Sequence, residues 1–115
     1  MSYKSILVIK VGTSTLSTLN DANETILDVA SFERIAKQAL SFQKQGFGIV
    51  IVSSAAITAG MLHTGTTERP AHMPALQRMA SIGWRLILNT WVEAFDGTHV
   101  GELLVTKREL ERPQE

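Results

Sequence analysis

Two short apolar runs, Ile6–Ile9 and Ile49–Val52, set the tightest limit on what this chain can fold into. Both are continuous and rich in β-branched residues. Such runs read as strands, Ser5–Lys10 and Ile49–Val52, in a parallel sheet covered on both faces. Between them, Val29, Phe32, Ile35, Ala36, Ala39 and Leu40 recur at helical spacing along one face. Asp28 is placed to cap that helix, which the pattern runs from about Val29 to Gln45. Gly46 follows, where a left-handed C-cap commonly sits. Strand, helix, strand at this length is a βαβ unit, for which the crossover is expected to be right-handed.

The rest of the chain extends the alternation. Val11–Ser14 turns the chain, with Gly12 free to adopt angles that other residues avoid. Ser17–Glu24 is polar and turn-rich and reads as a loop. A short helix is expected after Ser53–Ala56, through Met61 or Leu62. Thr64–Met73 reads as an exposed loop, and Pro74 suits the first turn of a long helix. Leu76, Met79, Ala80, Gly83, Ile87, Trp91 and Phe95 form its buried stripe, and Asp96-Gly97 breaks it. Val100–Thr106 looks like a third strand, ahead of a charged end. The layout is β-α-β-α-β, an α/β fold.

Length and charge remove several classes of function. At 115 residues the chain is one domain at most. Its 11 basic and 11 acidic residues balance, so bulk electrostatics point neither to nucleic acid nor to a membrane surface. With no cysteine, disulfides, thiolate zinc sites and a cysteine nucleophile are excluded. The first apolar run is too short for a signal-peptide core, which leads us to expect a cytoplasmic protein.

Ligands of open α/β sheets bind beyond the carboxyl ends of strands. Two polar, small-residue junctions occupy such ends. In Lys10-Val11-Gly12-Thr13-Ser14-Thr15, an ammonium, a glycine and hydroxyls come together, the parts that hold a phosphate group. The same residues also suit a strand-end lysine reaching into water, followed by an ordinary turn. In Ser53-Ser54-Ala55-Ala56, small side chains would let a carboxylate approach the backbone, with Ser54 as a donor. A close-packed strand-to-helix junction without a ligand would look the same. His63, His72 and His99 lack metal-ligand spacing, so no metal ligand is assigned. Trp84 and Trp91 share a helix face, which fits core or interface packing.

Taken together, Leu7–Leu16, Ile49–Gly60, Ala80–Gly83 and His99–Thr106 resemble the amino-acid kinase family, and within it the glutamate 5-kinases. The resemblance implies a parallel-sheet sandwich of the carbamate kinase-like type. Residues 1–115 would supply its N-terminal, substrate-binding part, with the C-terminal nucleotide-binding half absent. It also implies ATP-dependent phosphorylation of the L-glutamate γ-carboxylate, with Mg2+ held by the nucleotide. Lys10 would be the catalytic residue, Lys10, Gly12, Thr13 and Ser14 the phosphate-binding set, and Ser54, Ala55 and Ala56 the glutamate side. Nucleic acid and membrane are not expected partners. A homo-oligomer or a complementing second half is, because half a sheet leaves apolar surface to cover. Two residues depart from the family pattern: Ala55 stands for a glycine, and Trp84 for a glutamine. Another acceptor substrate, or a non-catalytic assembly module, remains open at this point.

Overall fold

The protein is described by a computed structural model over residues 4–96. The element order is β1 (Ile6–Val11), α1 (Thr13–Leu16), β2 (Ser17–Leu19), β3 (Thr25–Leu27), α2 (Val29–Lys44), β4 (Gly48–Ser53), α3 (Ala56–Thr64) and α4 (Met73–Ala94). The third strand expected over Val100–Thr106, Gly97 and His99 lie outside the described residues. None of the described helices is long and apolar enough to cross a membrane.

β1 and β4 pair in parallel, from Ile6 opposite Gly48 to Val11 opposite Ser53. The connection runs through α2, as the βαβ pattern requires. Asp28 caps α2: its carboxylate accepts from the Ser31 backbone N–H at 3.4 Å and from the Ser31 hydroxyl at 2.9 Å. The far end closes in a Schellman arrangement. Gly46, at φ 101°, donates to the Gln43 carbonyl, and Phe47 donates to that of Phe42. The Phe42 and Phe47 rings meet edge to face at 6.2 Å, the apolar contact that accompanies this motif. Phe32, Ile35, Ala36 and Ala39 turn inward, whereas Val29, on the expected apolar stripe, is exposed at the first helical position.

Three sequence expectations need correction. Ser17–Glu24 is not a plain loop. It contains β2 and half of an antiparallel hairpin in which Leu19 faces Thr25. Asn20 closes the turn: its N–H donates to the Glu24 carbonyl, its carbonyl accepts from the Asn23 N–H, and its side-chain oxygen accepts the Glu24 N–H, each at 2.9 Å. Strands this short and this polar give almost no periodic signal. Second, Gly12 sits at φ −83°, ψ 165°, ordinary extended backbone, so freedom from a side chain is not what its turn demands. Third, the sheet is covered on one face only among the described residues. Leu7, Ile9, Ile49 and Ile51 are partly buried, while Ile6, Val8, Val50 and Val52 are 61%, 65%, 43% and 48% exposed. A strand that is apolar on both faces needs two layers, and residues 4–96 provide one.

The core lies between the covered face and α2 and α4. Trp91 is its centre: its ring lies 4.7 Å from that of Phe32 and 6.1 Å from that of Phe95. Leu16, Ala59 and Ile87 fill the space around it. The stripe expected for α4 is buried at Met79, Gly83, Ile87, Trp91 and Phe95, with Leu76 and Ala80 half-buried. α3 and α4 cross with their backbones touching. A methyl group on Gly60 would overlap the Met79 carbonyl, and one on Gly83 would overlap the Ala56 carbonyl. Backbone cannot yield as a flexible side chain does. Gly60→Ala and Gly83→Ala are each expected to lower stability by about 1–3 kcal/mol, although alanine is by itself the better helix former by about 1 kcal/mol. Chemical denaturation of the two variants checks this.

Candidate functional site

The register of the sheet decides where the two junctions meet. Lys10 is opposite Val52 and Val11 opposite Ser53. The Ser54 N–H then donates to the Val11 carbonyl at 3.0 Å, carrying the ladder one step past β4. The carboxyl ends of both strands therefore lie side by side, and Lys10–Ser14 flanks Ser53–Ala56.

Each side chain takes its direction from the local structure. Strand alternation puts Lys10 on the exposed face with Ile6 and Val8, and turns Val11 into the core at 4% exposure. Gly12 is the N-cap of α1, and the Thr15 N–H closes the turn onto the Gly12 carbonyl at 3.1 Å. Leu16 is fully buried and pins this single turn to the core. Thr13, Ser14 and Thr15 stay exposed. The Ser17 hydroxyl donates to the Thr13 carbonyl at 2.8 Å and secures the end of the turn.

On the second junction, Ser54 is exposed and Ala55 is buried. Ala55 is the N-cap of α3 at φ 80°, ψ 6°, a left-handed conformation that costs an L-residue with a side chain about 1–2 kcal/mol. The Ala55 methyl belongs to the buried core with Val11 and Leu16, so it does not fill the mouth of the junction. Ala56 opens α3, and no side chain caps that end. From behind, the Trp91 indole N–H donates to the Ser53 hydroxyl oxygen at 3.1 Å. Ser53 stood in the junction motif, but sequence reasoning gave it no role of its own. Its only advance signal was its place beside Ser54, since the partner lies 38 positions away.

The donors gathered here are an ammonium, hydroxyls and backbone N–H groups. That set suits phosphate and carboxylate oxygens. Neither junction carries an acidic side chain, and among the described residues no three His, Asp or Glu side chains gather as a metal site. A divalent cation does not fit these residues as ligands. His63 and His72 are exposed, well apart in sequence from both junctions. Trp84 is partly buried against the core.

A family model described as the amino acid kinase family matches residues 5–112. The chain belongs to the amino acid kinase family. Among similar proteins, a glutamate 5-kinase of Thermus thermophilus is 38% identical over 106 residues, covering 90% of this chain and 27% of that protein. A glutamate 5-kinase of Vibrio vulnificus is 35% identical over 112 residues, 96% of this chain and 28% of its own length. One of Clostridium tetani is 32% identical over 106 residues, 90% and 38% respectively. The chain thus spans well under half the length of these kinases.

Three substitutions compare the two junctions with the helix beside them. A methyl group on Gly12 would meet nothing within 4 Å, and the backbone there is unstrained. Gly12→Ala is expected to unfold like wild type, within about 0.5 kcal/mol, as chemical denaturation checks. Ala55→Gly relieves a left-handed alanine, offsetting the lost methyl, so its net change is expected below about 1 kcal/mol. Ala59→Gly, buried inside α3, loses both helix propensity and burial and is expected to cost about 2 kcal/mol. Thermal melts of the pair test the contrast.

Proposed function

We propose that this chain forms the substrate-binding part of an ATP-dependent kinase that phosphorylates the γ-carboxylate of L-glutamate, the first step towards proline, in the cytoplasm. The observation that carries the reading is the parallel register that sets Lys10–Ser14 beside Ser54–Ala56. The names of the similar kinases support the acceptor.

Phosphoryl transfer asks the protein for position and charge more than for covalent chemistry. In the proposed reaction, a γ-carboxylate oxygen bonds to the γ-phosphorus of ATP as the bond to the leaving ADP oxygen breaks. Lys10 offsets the negative charge that spreads over the equatorial oxygens. The backbone at Gly12, with the exposed hydroxyls of Thr13 and Ser14, donates to phosphate oxygens. Ser54 donates to the glutamate carboxylate, and the N–H groups of Ala55 and Ala56 hold it against the start of α3. Mg2+, when present, would be carried by the nucleotide phosphates. Adenine recognition is assigned to the length of the relatives that this chain does not span, whether contributed by the same polypeptide or by a complementing one.

The test is ATP- and L-glutamate-dependent formation of an acyl phosphate, trapped with hydroxylamine. Lys10→Ala is expected to lower the signal by at least about 100-fold, the usual loss when a stabiliser of transition-state charge is removed. Equal signals from the two proteins would overturn the role given to Lys10.

A further inference from the structure

The two junctions differ in how they are held. Lys10–Ser14 is held mainly by two buried side chains, Val11 within it and Leu16 just after it. Ser54 is held through polar bonds on both of its peptide groups. Its N–H donates to the Val11 carbonyl at 3.0 Å. Its carbonyl accepts from the Ser53 hydroxyl at 3.2 Å. The Ser53 oxygen in turn accepts from the indole N–H of Trp91 at 3.1 Å. Indole has one donor and no acceptor, and a hydroxyl can accept and donate at once. Once the indole occupies an acceptor site on Ser53, the hydroxyl proton is directed to the Ser54 carbonyl. The order indole N–H, Ser53 O–H, Ser54 C=O is thus the one consistent polarity of the chain.

We propose that Trp91 and Ser53 are positioning residues for the acceptor side of the site. The relay runs from a buried core aromatic to the peptide that leads into Ala55. Trp91 is 4% exposed and wedged between Phe32 and Phe95, so its N–H is a fixed reference point. Ala55 holds a left-handed conformation that an alanine does not choose unaided. Fixing the peptide groups on both sides of Ser54, one at its N–H and the next at its C=O, keeps that turn in place. It thereby aims the Ser54 hydroxyl and the N–H groups of Ala55 and Ala56. Neither Trp91 nor Ser53 needs to touch a ligand. The inference rests on the proposed role of Ser54–Ala56, but its structural half can be measured separately.

The experiment compares wild type, Ser53→Ala, Ser53→Thr and Trp91→Phe, all as the full chain. Phenylalanine keeps an aromatic ring against Phe32 and drops the donor; the volume it also loses from the core is read by the α2 reference. Threonine keeps the hydroxyl. Amide hydrogen exchange is read at Ser54 and, as a reference for global stability, along α2. L-glutamate affinity is read by calorimetry. Ser53→Ala and Trp91→Phe are expected to speed Ser54 exchange about tenfold relative to the α2 amides, and to weaken L-glutamate by a similar factor, the size of one lost hydrogen bond. Ser53→Thr is expected to match wild type in both readings. Ser54 exchange that merely follows α2, or a threonine variant as perturbed as the alanine one, would overturn the proposal. A wild-type chain that binds no L-glutamate would count against the proposed acceptor, and Ser54 exchange would then decide the positioning role by itself.

Discussion

Everything described here depends on the in-register parallel pairing of β1 with β4. Neighbouring parallel strands need a crossover connection, and α2 is that connection. The register fixes which residues end together: Val11 with Ser53, then the Val11 carbonyl with the Ser54 N–H. Because side chains alternate, a slip by one residue would turn Lys10 into the core and expose Val11. The apolar face made of Ile9, Val11, Ile49 and Ile51 opposes such a slip by packing in and against the core. Packing energy in the core therefore sets the geometry of an exposed polar junction.

The helices contribute a second constraint. α3 leaves the end of β4 and must return against α4 without displacing the junction. The contact of bare backbone at Gly60 and Gly83 makes that crossing close. It brings α4 near enough for Trp91 to reach both Phe32 on α2 and Ser53 on β4. A wider crossing would leave the indole N–H without its acceptor inside the core, at a cost typical of an unsatisfied buried donor. The small residues on α3 and α4 and the polar bond at Ser53 are two parts of one packing solution.

Much of this was legible in the sequence because its signals were periodic or chemical. The apolar period of α2, the Asp28 cap, Gly46 past its end and Pro74 in the first turn of α4 each state a local preference that the fold obeys. The two junctions were legible from residue type at strand ends. What stayed hidden was either short or non-local. Three-residue strands such as β2 and β3 carry too few positions to show alternation. The Trp91–Ser53 bond joins residues 38 apart, which no local pattern encodes. Gly12 was misread for a different reason: glycine suggested an unusual backbone, whereas its conformation is one any residue adopts.

The open sheet face links fold to chemistry more tightly than either does alone. Lys10 shares strand parity with Ile6 and Val8, and in register stands opposite Val52. The charged residue assigned to the transferring phosphate thus sits at the rim of the exposed apolar surface. Any layer that covers Val8, Val50 and Val52, from this polypeptide or another, also removes water from around Lys10. An ammonium attracts a phosphoryl group weakly in water and several-fold more strongly where the effective dielectric falls. Closing the hydrophobic face and strengthening the electrostatic site are then one event. Under the role proposed for Lys10, the exposed valines would contribute to its electrostatics, even though none of them carries a reactive group.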